Sequence, residues 1–484
     1  MLHTTKKNLV MKKFTKIVAT ISDRSCDVDF LKKLYKSGMN VVRLNTAHQD
    51  FEGVLKVITN VRAVSDKIAI LIDTKGPEIR TTKCEDDIEL STGDVLKVKG
   101  DLDQLSSKEC IYVSYQDFVK DMPVGGQILI DDGEVALEIT EKEEDHLVCK
   151  VLNDGIVGSR KSVNVPGVRI NLPSVTEKDR NFIKFAAQNN IDFVAHSFVR
   201  NKEDVIEVQQ ILNEMESPMK IVAKIENEEG VANLDEILEH VHGVMVARGD
   251  LGIEIPQEKI PGIQRRMIRK CVEAKKPVIV ATQMLHTMIK NPRPTRAEVT
   301  DVANAIYYRT DAIMLSGETA YGNYPVEAVK TMAKIAKEVE ASKDSRYDIP
   351  VLSDKNDITS YLADTAVRAS KNLDIKAVLT DSLTGKTARY LAAFRGACPV
   401  YALCYNANVG RQLALSYGVV PRLMEDGSSK KEILKKTLKK LLKKDVLVED
   451  DLVAYLGGSF GIGGGTTYLE VITVKALLKK VEKE

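Results

Sequence analysis

Eight short apolar segments rich in β-branched residues recur along the chain, with helix-like stretches between most of them. Strands that are buried on both faces and alternate with helices are typical of parallel sheets with crossover connections. Eight such units predict an α/β fold built on a (β/α)8 TIM barrel. The segments are TKIVATI (15–21), NVVRLN (40–45), AILIDT (69–74), DFVAHSF (192–198), KIVAKI (220–225), GVMVAR (243–248), VIVATQ (278–283) and AIMLSG (312–317).

Polar side chains gather at the carboxyl end of most of these segments. In (β/α)8 barrels the active site lies at that face. The sequence therefore predicts a functional site formed by the ends of several strands. The polar residues are Arg43 and Asn45, Asp73 and Thr74, Lys224 and Glu226, Arg248 and Asp250, Thr282, and Ser316 and Glu318.

A long insertion separates the third segment from the fourth. Between residues 74 and 192 lie more than a hundred residues, with alternating patterns such as DVLKVKG, CIYVS, QILIDDGEVALEI and HLVCKVL. Alternation with Gly and Asp turns predicts a small all-β domain. Because it emerges at the active-site face, we expect a lid over residues 77–167, with the barrel formed by 1–76 and 168–345.

A third unit follows the barrel. A helical stretch at 325–342 leads into the polar linker SKDSRYDIPVLSDKND, and strands and helices then alternate again, which predicts a C-terminal α/β domain at 346–484. The segment KKEILKKTLKKLLKKDV predicts a basic amphipathic helix that packs on this sheet, with a membrane-surface role as the alternative. Its apolar stripe is Ile433, Leu434, Leu438, Leu441 and Leu442.

Composition excludes several classes of function. The 484 residues carry a net charge of +1, which gives no bias toward nucleic acid or anionic membranes. Seven cysteines, an odd number without a C-x-x-C pair, argue against a disulfide framework or a zinc ribbon. The charged start MLHTTKKNLVMKKF has no apolar signal-peptide region, and no segment is long enough to cross a membrane. We expect a cytoplasmic enzyme.

Lys224 and Glu226 lie two residues apart on one strand and therefore share a face. Asp250 follows the neighbouring strand, so its carboxylate can approach that of Glu226. Two carboxylates without His or Cys favour Mg²⁺ or Mn²⁺, with substrate oxygens completing the coordination. A lysine beside such a cation is suited to stabilising a transferring phosphoryl group or an enolate. The alternative is a charge network that only stabilises the barrel rim.

Several of these motifs together resemble pyruvate kinase. They are KSGMNVVRLN, DTKGPEIRT, KIENEEGV, MVARGDLGIEIP, ATQML, PRPTRAE, DVANA and MLSGETA, in this order along nearly the whole chain. The resemblance implies phosphoryl transfer from phosphoenolpyruvate to ADP, the last step of glycolysis, in a homotetramer. It implies Mg²⁺ (or Mn²⁺) and K⁺ as cofactors.

The resemblance also implies roles for individual residues. Lys224 matches the lysine that stabilises the transition state, and Glu226 and Asp250 match the Mg²⁺ ligands. Substrate contacts are implied for Arg43, Gly249, Asp250 and Thr282. A proton path behind Thr282 is implied for Ser316 and Glu318, nucleotide contacts for His48, Arg80 and Lys161, and K⁺ ligation for Asn45, Asp73 and Thr74.

The monovalent-cation site departs from the family pattern. Ala47 stands where the family has a serine, which removes one oxygen ligand, and Thr46 stands where a phenylalanine is usual. Glu78, in KGPE, is the residue found in K⁺-requiring members. The first feature argues for weaker K⁺ binding and the second for K⁺ dependence. We expect a retained but weakened requirement for K⁺.

The C-terminal domain resembles the family's effector domain. VLTDSLTGKTARY predicts a strand, a loop and a helix start at which Thr384, Lys386 and Thr387 can hold a phosphate. A sugar-phosphate effector is the favoured ligand. A plain helix cap and an independent nucleotide-binding P-loop are the alternatives, although Thr380 replaces the first glycine of the latter.

Two other functions are compatible with parts of this pattern. A metal-dependent carbon–carbon lyase would stabilise a pyruvate enolate in a similar barrel, and an inactive sugar-phosphate sensor would keep only the C-terminal site. ADP-dependent formation of pyruvate distinguishes the kinase from both.

Overall fold

The barrel begins with three strands and the two helices that connect them. The computed structural model describes residues 13–342, 351, 356–423, 429–458 and 465–483. Most of the charged N-terminal segment and most of the polar linker lie outside these ranges. So does the centre, residues 459–464, of the glycine-rich stretch GGSFGIGGGTT (457–467) in the C-terminal domain. The first elements are β1 Lys16–Thr20, α1 Val28–Ser37, β2 Val41–Asn45, α2 Phe51–Val64 and β3 Ala69–Asp73.

The insertion forms a separate β-rich unit. Seven of its strands make one sheet in the order β4-β12-β8-β9-β10-β6-β7, and β5 pairs with β11. The expected all-β character is interrupted by one short helix, α3, whose Phe118 is fully buried in the core of this unit. The elements are β4 Ile79–Arg80, β5 Ile88–Leu90, β6 Val95–Gly100, β7 Cys110–Val113, α3 Phe118–Asp121, β8 Gln127–Ile130, β9 Val135–Lys142, β10 Leu147–Val151, β11 Gly155–Val157 and β12 Ser162–Asn164.

The remaining barrel units follow the insertion. They are α4 Glu177–Gln188, β13 Phe193–His196, α5 Lys202–Glu214, β14 Lys220–Ile225, α6 Glu228–Ala232, α7 Leu234–His240, β15 Gly243–Ala247, α8 Arg248–Glu254, α9 Ile260–Glu273, β16 Val278–Ala281, α10 Arg296–Tyr307, β17 Ala312–Leu315, α11 Gly317–Ala320 and α12 Pro325–Ser342. The strands close in the order β1-β17-β16-β15-β14-β13-β3-β2. The predicted eight-stranded barrel is thus confirmed.

Six of the eight barrel strands end one or two residues before their apolar segments, and β13 and β16 illustrate the reason. β13 ends at His196 and β16 at Ala281, because the next residues turn away from extended geometry. Phe198 has φ 54°, Thr282 φ 66° and Gln283 φ 52°. Left-handed backbone departs from the extended geometry of a strand and so ends the ladder.

Alternation along the strands separates two cores. Inward-facing residues such as Val41, Leu71 and Val222 fill the barrel, while their neighbours, such as Val42 and Ala223, pack against the surrounding helices. The side chain two residues beyond the last inward core residue of a strand lies at the opening at the barrel's carboxyl end. The fold thus delivers alternate side chains of several strands to one place.

The C-terminal domain is a five-stranded sheet in the order β20-β19-β18-β21-β22, with only β22 antiparallel. Its elements are α13 Ile358–Asn372, β18 Ile375–Ser382, α14 Lys386–Phe394, β19 Val400–Cys404, α15 Ala407–Gln412, β20 Val419–Leu423, α16 Lys430–Lys443, β21 Leu452–Gly457, β22 Tyr468–Thr473 and α17 Val474–Lys483. The basic helix α16 packs on this sheet as predicted, although Leu442 is only partly buried. Ala414 and Leu415 join the inward cluster of the barrel, so this domain contacts the barrel's amino-terminal end.

Two expectations from composition can be compared with the structure. All seven cysteines lie in the described residues and none forms a disulfide. No helix in the described ranges is long and apolar enough to cross a membrane.

Candidate active site

Four inward-facing side chains meet at the carboxyl ends of β2, β3, β13 and β14. Each is two residues beyond a residue of the inward core, which is why alternation brings them together. They are Arg43, Asp73, Ser197 and Lys224.

Lys224 is surrounded by oxygen atoms. Its Nζ lies 2.9 Å from Asp73 Oδ1 and 3.0 Å from Glu226 Oε1, and it donates to Ser197 Oγ at 2.6 Å. Burial opposes the charge, but Asp73 and Glu226 outweigh it and hold the pKa of Lys224 above its ordinary value. The ammonium is therefore a fixed positive charge at the barrel mouth.

Asp73 joins Lys224 to Arg43. Arg43 Nε lies 2.6 Å from Asp73 Oδ2, and Arg43 Nη1 donates to Thr20 Oγ1 at 3.1 Å. Burial favours the neutral acid, but the two cations outweigh it and lower the pKa of Asp73. The carboxylate is thus ionised and orients both cations.

The proposed K⁺ ligands lie side by side. Asn45 and Asp73 are register partners on β2 and β3, and the Thr74 carbonyl accepts from Ser197 Oγ at 2.7 Å. Asn45 Oδ1 accepts from the Ala47 amide at 3.1 Å. The structure brings these three residues together, with the Ala47 position beside them.

Glu226 and Asp250 provide carboxylates at the ends of β14 and β15. Glu226 Oε2 accepts from the Phe198 amide at 2.8 Å. Burial raises the pKa of Glu226 to about 8, with Lys224 opposing and Asp250 adding to the shift. A buried carboxyl whose pKa is raised further by the neighbouring carboxylates Asp250 and Asp73 fits a hard divalent cation.

The two expected metal ligands, Glu226 and Asp250, do not by themselves form a complete metal cage. Within the part of the chain that the structure describes, no group of three or more His, Cys, Asp or Glu side chains is arranged to hold a metal ion. Two protein carboxylates leave most coordination positions open to substrate oxygens and water, as is common for Mg²⁺.

Thr282 is held by Arg248, which the sequence placed only among the polar residues at the strand ends, and Arg248 is anchored by Asp301, which the sequence did not single out. Arg248 Nη2 donates to the Thr282 carbonyl at 2.6 Å, while Nη1 contacts both Asp301 oxygens at 2.6 and 2.8 Å. The Gly249 amide donates to Thr282 Oγ1 at 2.9 Å. A β-branched residue at φ 66° is strained, and the Arg248 fork stabilises that conformation.

Glu318 connects two loops at the mouth. Its Oε1 accepts from the Leu285 amide at 3.1 Å and its Oε2 from the Ser316 amide at 2.7 Å. Both oxygens of this buried carboxyl group are therefore bonded to backbone. This arrangement is that of a positioning residue, with the Ser316 side chain beside it.

A cavity of about 840 Å³ separates the lid from the barrel, and Arg80, Lys161 and Asp250 are among its lining residues. Lys161 Nζ lies 2.5 Å from Asp131 Oδ2 on the lid, and Arg80 is 2.8 Å from Glu78. His48 is exposed and does not line this cavity. The structure therefore brings two of the three expected nucleotide contacts together.

The predicted effector residues lie at the start of α14. Lys386 is 2.8 Å from Asp357 Oδ2, and Thr387 Oγ1 lies 2.7 Å from Thr466 Oγ1, at the end of the glycine-rich stretch. Thr384 Oγ1 accepts from the Lys386 amide at 3.4 Å.

Comparison with known proteins agrees with this geometry. A family model described as pyruvate kinase, barrel domain, matches residues 12–329, and one described as pyruvate kinase, alpha/beta domain, matches residues 361–472. The chain belongs to the pyruvate kinase family. Members of this family are phosphotransferases, and the chain is therefore an enzyme of that class.

Similar proteins cover almost the whole chain. A pyruvate kinase of Borreliella burgdorferi is 48% identical over 475 residues, covering 97% of this chain and 99% of the relative. One of Bacillus licheniformis is 44% identical, with 96% and 81% covered. A crystal structure of a pyruvate kinase from Cryptosporidium parvum superposes with a TM-score of 0.89 at 37% identity, covering 96% of this chain and 97% of that one.

Proposed function

We propose that this enzyme transfers the phosphoryl group of phosphoenolpyruvate to ADP and protonates the resulting enolate to pyruvate, as the last step of glycolysis in the cytoplasm. The observation that carries the proposal is Lys224, an ammonium fixed between Asp73 and Glu226 at the barrel mouth. A fixed cation there lowers the energy of a transition state in which negative charge moves between oxygens.

Glu226 and Asp250 are the residues that would hold Mg²⁺ (or Mn²⁺), and Asn45, Asp73 and the Thr74 carbonyl those that would hold K⁺. When bound, these cations neutralise charge on the phosphoryl group and the enolate. Burial and the neighbouring Asp250 carboxylate raise the pKa of Glu226, so a bound cation would stabilise its ionised form. This supports the assignment of the carboxylate pair to the divalent cation.

The chain's own residues bind and orient the substrates. Arg43 binds the phosphate of phosphoenolpyruvate, and the amides of Gly249 and Asp250 bind its carboxylate. Thr282 Oγ1 accepts a hydrogen bond from the Gly249 amide and so lies beside the proposed position of the substrate carboxylate. Its hydroxyl takes part in protonating the enolate carbon. Ser316 supplies the next hydroxyl of the proton path, and Glu318 positions its loop.

The lid, residues 77–167, completes the nucleotide site. Lys161 and Arg80 bind the phosphates of ADP, and His48 contacts the nucleotide once the lid closes. Closure also excludes water from the phosphoryl group.

The barrel, 1–76 and 168–345, carries the catalytic residues. The domain at 346–484 binds a sugar-phosphate effector at Thr384, Lys386 and Thr387 in a homotetramer.

A coupled assay for pyruvate tests the proposal. With Mg²⁺ and K⁺, pyruvate should form from phosphoenolpyruvate only when ADP is present, and no aldol cleavage should occur. Aldol cleavage without ADP dependence would indicate the lyase. No turnover at saturating substrates would indicate the inactive sensor.

Lys224→Met is the decisive variant. Without the ammonium, kcat should fall about 10³-fold, while Mg²⁺ and phosphoenolpyruvate binding remain mostly intact. The matched control is Lys220→Met, because Lys220 lies on the same strand at the opposite end of the barrel. Near-normal kcat in Lys224→Met would remove the proposed role of this lysine.

A further inference from the structure

Two segments of the chain connect the lid to the barrel. The outgoing connection, residues 74–77, leads from the end of β3 to β4, and the return connection, residues 165–176, leads from β12 to α4. Asp179 lies in the first turn of α4, and its side chain is completely buried. The carboxylate is therefore close to the end of the return connection and shielded from water.

Asp179 accepts hydrogen bonds from both connections. Its Oδ1 accepts from the Lys75 amide at 2.9 Å, and its Oδ2 accepts from the Gly76 amide at 3.2 Å. Oδ2 also accepts from the hydroxyl of Thr176, the N-cap of α4, at 2.6 Å. A carboxylate has acceptors on both oxygens, whereas a side-chain amide has only one acceptor oxygen and could not accept these three donors in the same geometry.

Close packing also holds the outgoing connection. Gly76 has φ 71°, and a Cβ atom there would lie 2.9 Å from Ser197 Cβ and 2.7 Å from Phe198 Cδ2. Only glycine adopts this backbone conformation without strain and fits against these side chains. The outgoing connection is thus held by Asp179 through its amides and by the loop after β13 through direct contact.

That loop after β13 belongs to the candidate active site. Ser197 Oγ accepts from Lys224 Nζ at 2.6 Å and donates to the Thr74 carbonyl at 2.7 Å. The Phe198 amide donates to Glu226 Oε2 at 2.8 Å. The lid therefore starts against the residues that surround Lys224 and Glu226, and a shift of this connection would move the lid relative to them.

We propose that Asp179 is a positioning residue for the nucleotide, because it fixes the outgoing connection and with it the place of the lid over the barrel mouth. Arg80 follows this connection directly on β4, and the next residue, Thr81, donates from its amide to the Lys161 carbonyl at 2.8 Å. Asp179 itself does not line the cavity between lid and barrel, so it acts through the backbone. The inference rests on the function proposed above, in which Arg80 and Lys161 bind the phosphates of ADP.

Asp179→Asn tests this role, because it keeps the size of the side chain but replaces one acceptor oxygen by an NH2 group that faces donors. We expect the dissociation constant for ADP, measured by isothermal titration calorimetry with Mg²⁺ and K⁺, to rise about fivefold or more. The dissociation constant for phosphoenolpyruvate should stay nearly constant, since its proposed contacts lie on the barrel. Unaltered ADP affinity, or equal losses for both substrates, would overturn the proposal.

Thr176→Val is the matched control. It removes the hydroxyl of the α4 N-cap but leaves the Lys75 and Gly76 amides on Asp179. The thermal unfolding temperature should fall, as expected for a lost helix cap, while the dissociation constant for ADP should not change. The same loss of ADP affinity as in Asp179→Asn would show that the stability of α4, and not the outgoing connection, controls nucleotide binding.

Hydrogen exchange followed by mass spectrometry tests the contact in the unmodified enzyme, with no need for turnover or for a variant that folds. The Lys75 and Gly76 amides should exchange slowly although they lie outside every strand, and about tenfold faster in Asp179→Asn. Fast exchange of both amides in the unmodified enzyme would overturn the proposal.

The two proposals fail in different ways. An enzyme that showed slow exchange but formed no pyruvate from phosphoenolpyruvate and ADP would refute the proposed function. One that formed pyruvate but kept its ADP affinity in Asp179→Asn would refute the role of Asp179 alone.

Discussion

Thr282 shows how a single residue of the site depends on groups far away in the sequence. Its left-handed backbone is held by Arg248, which is itself anchored by Asp301. Lysine in place of Arg248 would keep the positive charge but lose the planar fork that reaches the Thr282 carbonyl and the carboxylate together.

We therefore expect Arg248→Lys to lower kcat by about tenfold to a hundredfold, from the loss of one or two charge-assisted hydrogen bonds. KM for phosphoenolpyruvate should change much less, because the affected hydroxyl acts in protonation. Steady-state kinetics measures both. The control is Arg269→Lys, which alters only an exposed pair with Glu273. A change in KM with unaltered kcat would show that Arg248 acts on binding instead.

Ala47 allows a test of the K⁺ site. Its amide donates to Asn45 Oδ1, so a side chain here lies next to the proposed ligands. Ala47→Ser adds a hydroxyl oxygen, and we expect the K⁺ concentration for half-maximal activity to fall several-fold. Ala63→Ser, on the exposed face of α2, is the control. If the hydroxyl leaves the K⁺ requirement unaltered, our interpretation of Ala47 is wrong.

At the scale of single residues, the sequence predicted those features of the site that follow from the alternation of side chains along the strands. Lys224 and Glu226 lie two residues apart at the carboxyl end of β14, Glu226 directly after its last residue, so their side chains come together. Arg43 and Asp73 follow the same rule. The inward position of Ser197, two residues after Ala195, was available from the same signal but was missed. The contact of Arg248 with Asp301 was not available, because nothing local relates a strand end to a residue on α10.

Among the elements, the lid carries a contact that would compete with the proposed binding of ADP. Asp131, in the turn between β8 and β9, pairs with Lys161, although Lys161 is proposed to bind ADP. Both side chains are partly exposed, so the pair contributes about 0–1 kcal/mol. In the proposed nucleotide site, the phosphates of ADP would displace this carboxylate from Lys161.

Asp131→Asn keeps the shape of the side chain and removes its charge. We expect KM for ADP to fall by about two- to fivefold, the factor that corresponds to such a pair, with kcat nearly constant. Asp145→Asn breaks a similar exposed lid pair with Lys99 and should leave KM for ADP as it is. A rise in KM for ADP in Asp131→Asn would show that Asp131 assists binding of the nucleotide.

The sequence predicted the order of elements better than their ends. Every barrel strand lies within its apolar segment, yet β13 and β16 stop where Phe198 and Thr282 adopt positive φ. Such conformations at non-glycine residues are imposed by the surrounding packing and carry no residue signal. The same holds for α3, which is too short for a periodic pattern.

At the scale of the whole molecule, buried ion pairs join the C-terminal domain to the barrel. Arg411 Nε lies 2.6 Å from Asp192 Oδ1, and Arg62 Nη2 lies 3.3 Å from Asp192 Oδ2. Arg395 pairs with Asp311 at 2.8 Å in the same contact region. The sequence predicted both domains but not how they contact each other, because these partners come from distant parts of the chain.

Asp192 is the single negative residue in the group that it forms with Arg62 and Arg411, and its side chain is fully buried. Asp192→Asn would leave two arginines close together without their shared buried counter-charge. Breaking a buried pair by removing one partner costs about 3–5 kcal/mol, so we expect a clear fall in the thermal unfolding temperature. The barrel mouth is at the far end of the strands, so kcat at low temperature should stay near that of the unmodified enzyme. Calorimetry and the coupled assay measure these two quantities.

Asp374→Asn, which removes an exposed partner of Lys376, is the control and should leave both the unfolding temperature and kcat unaltered. An Asp192→Asn enzyme as heat-stable as the original would show that this ion pair does not hold the domains together.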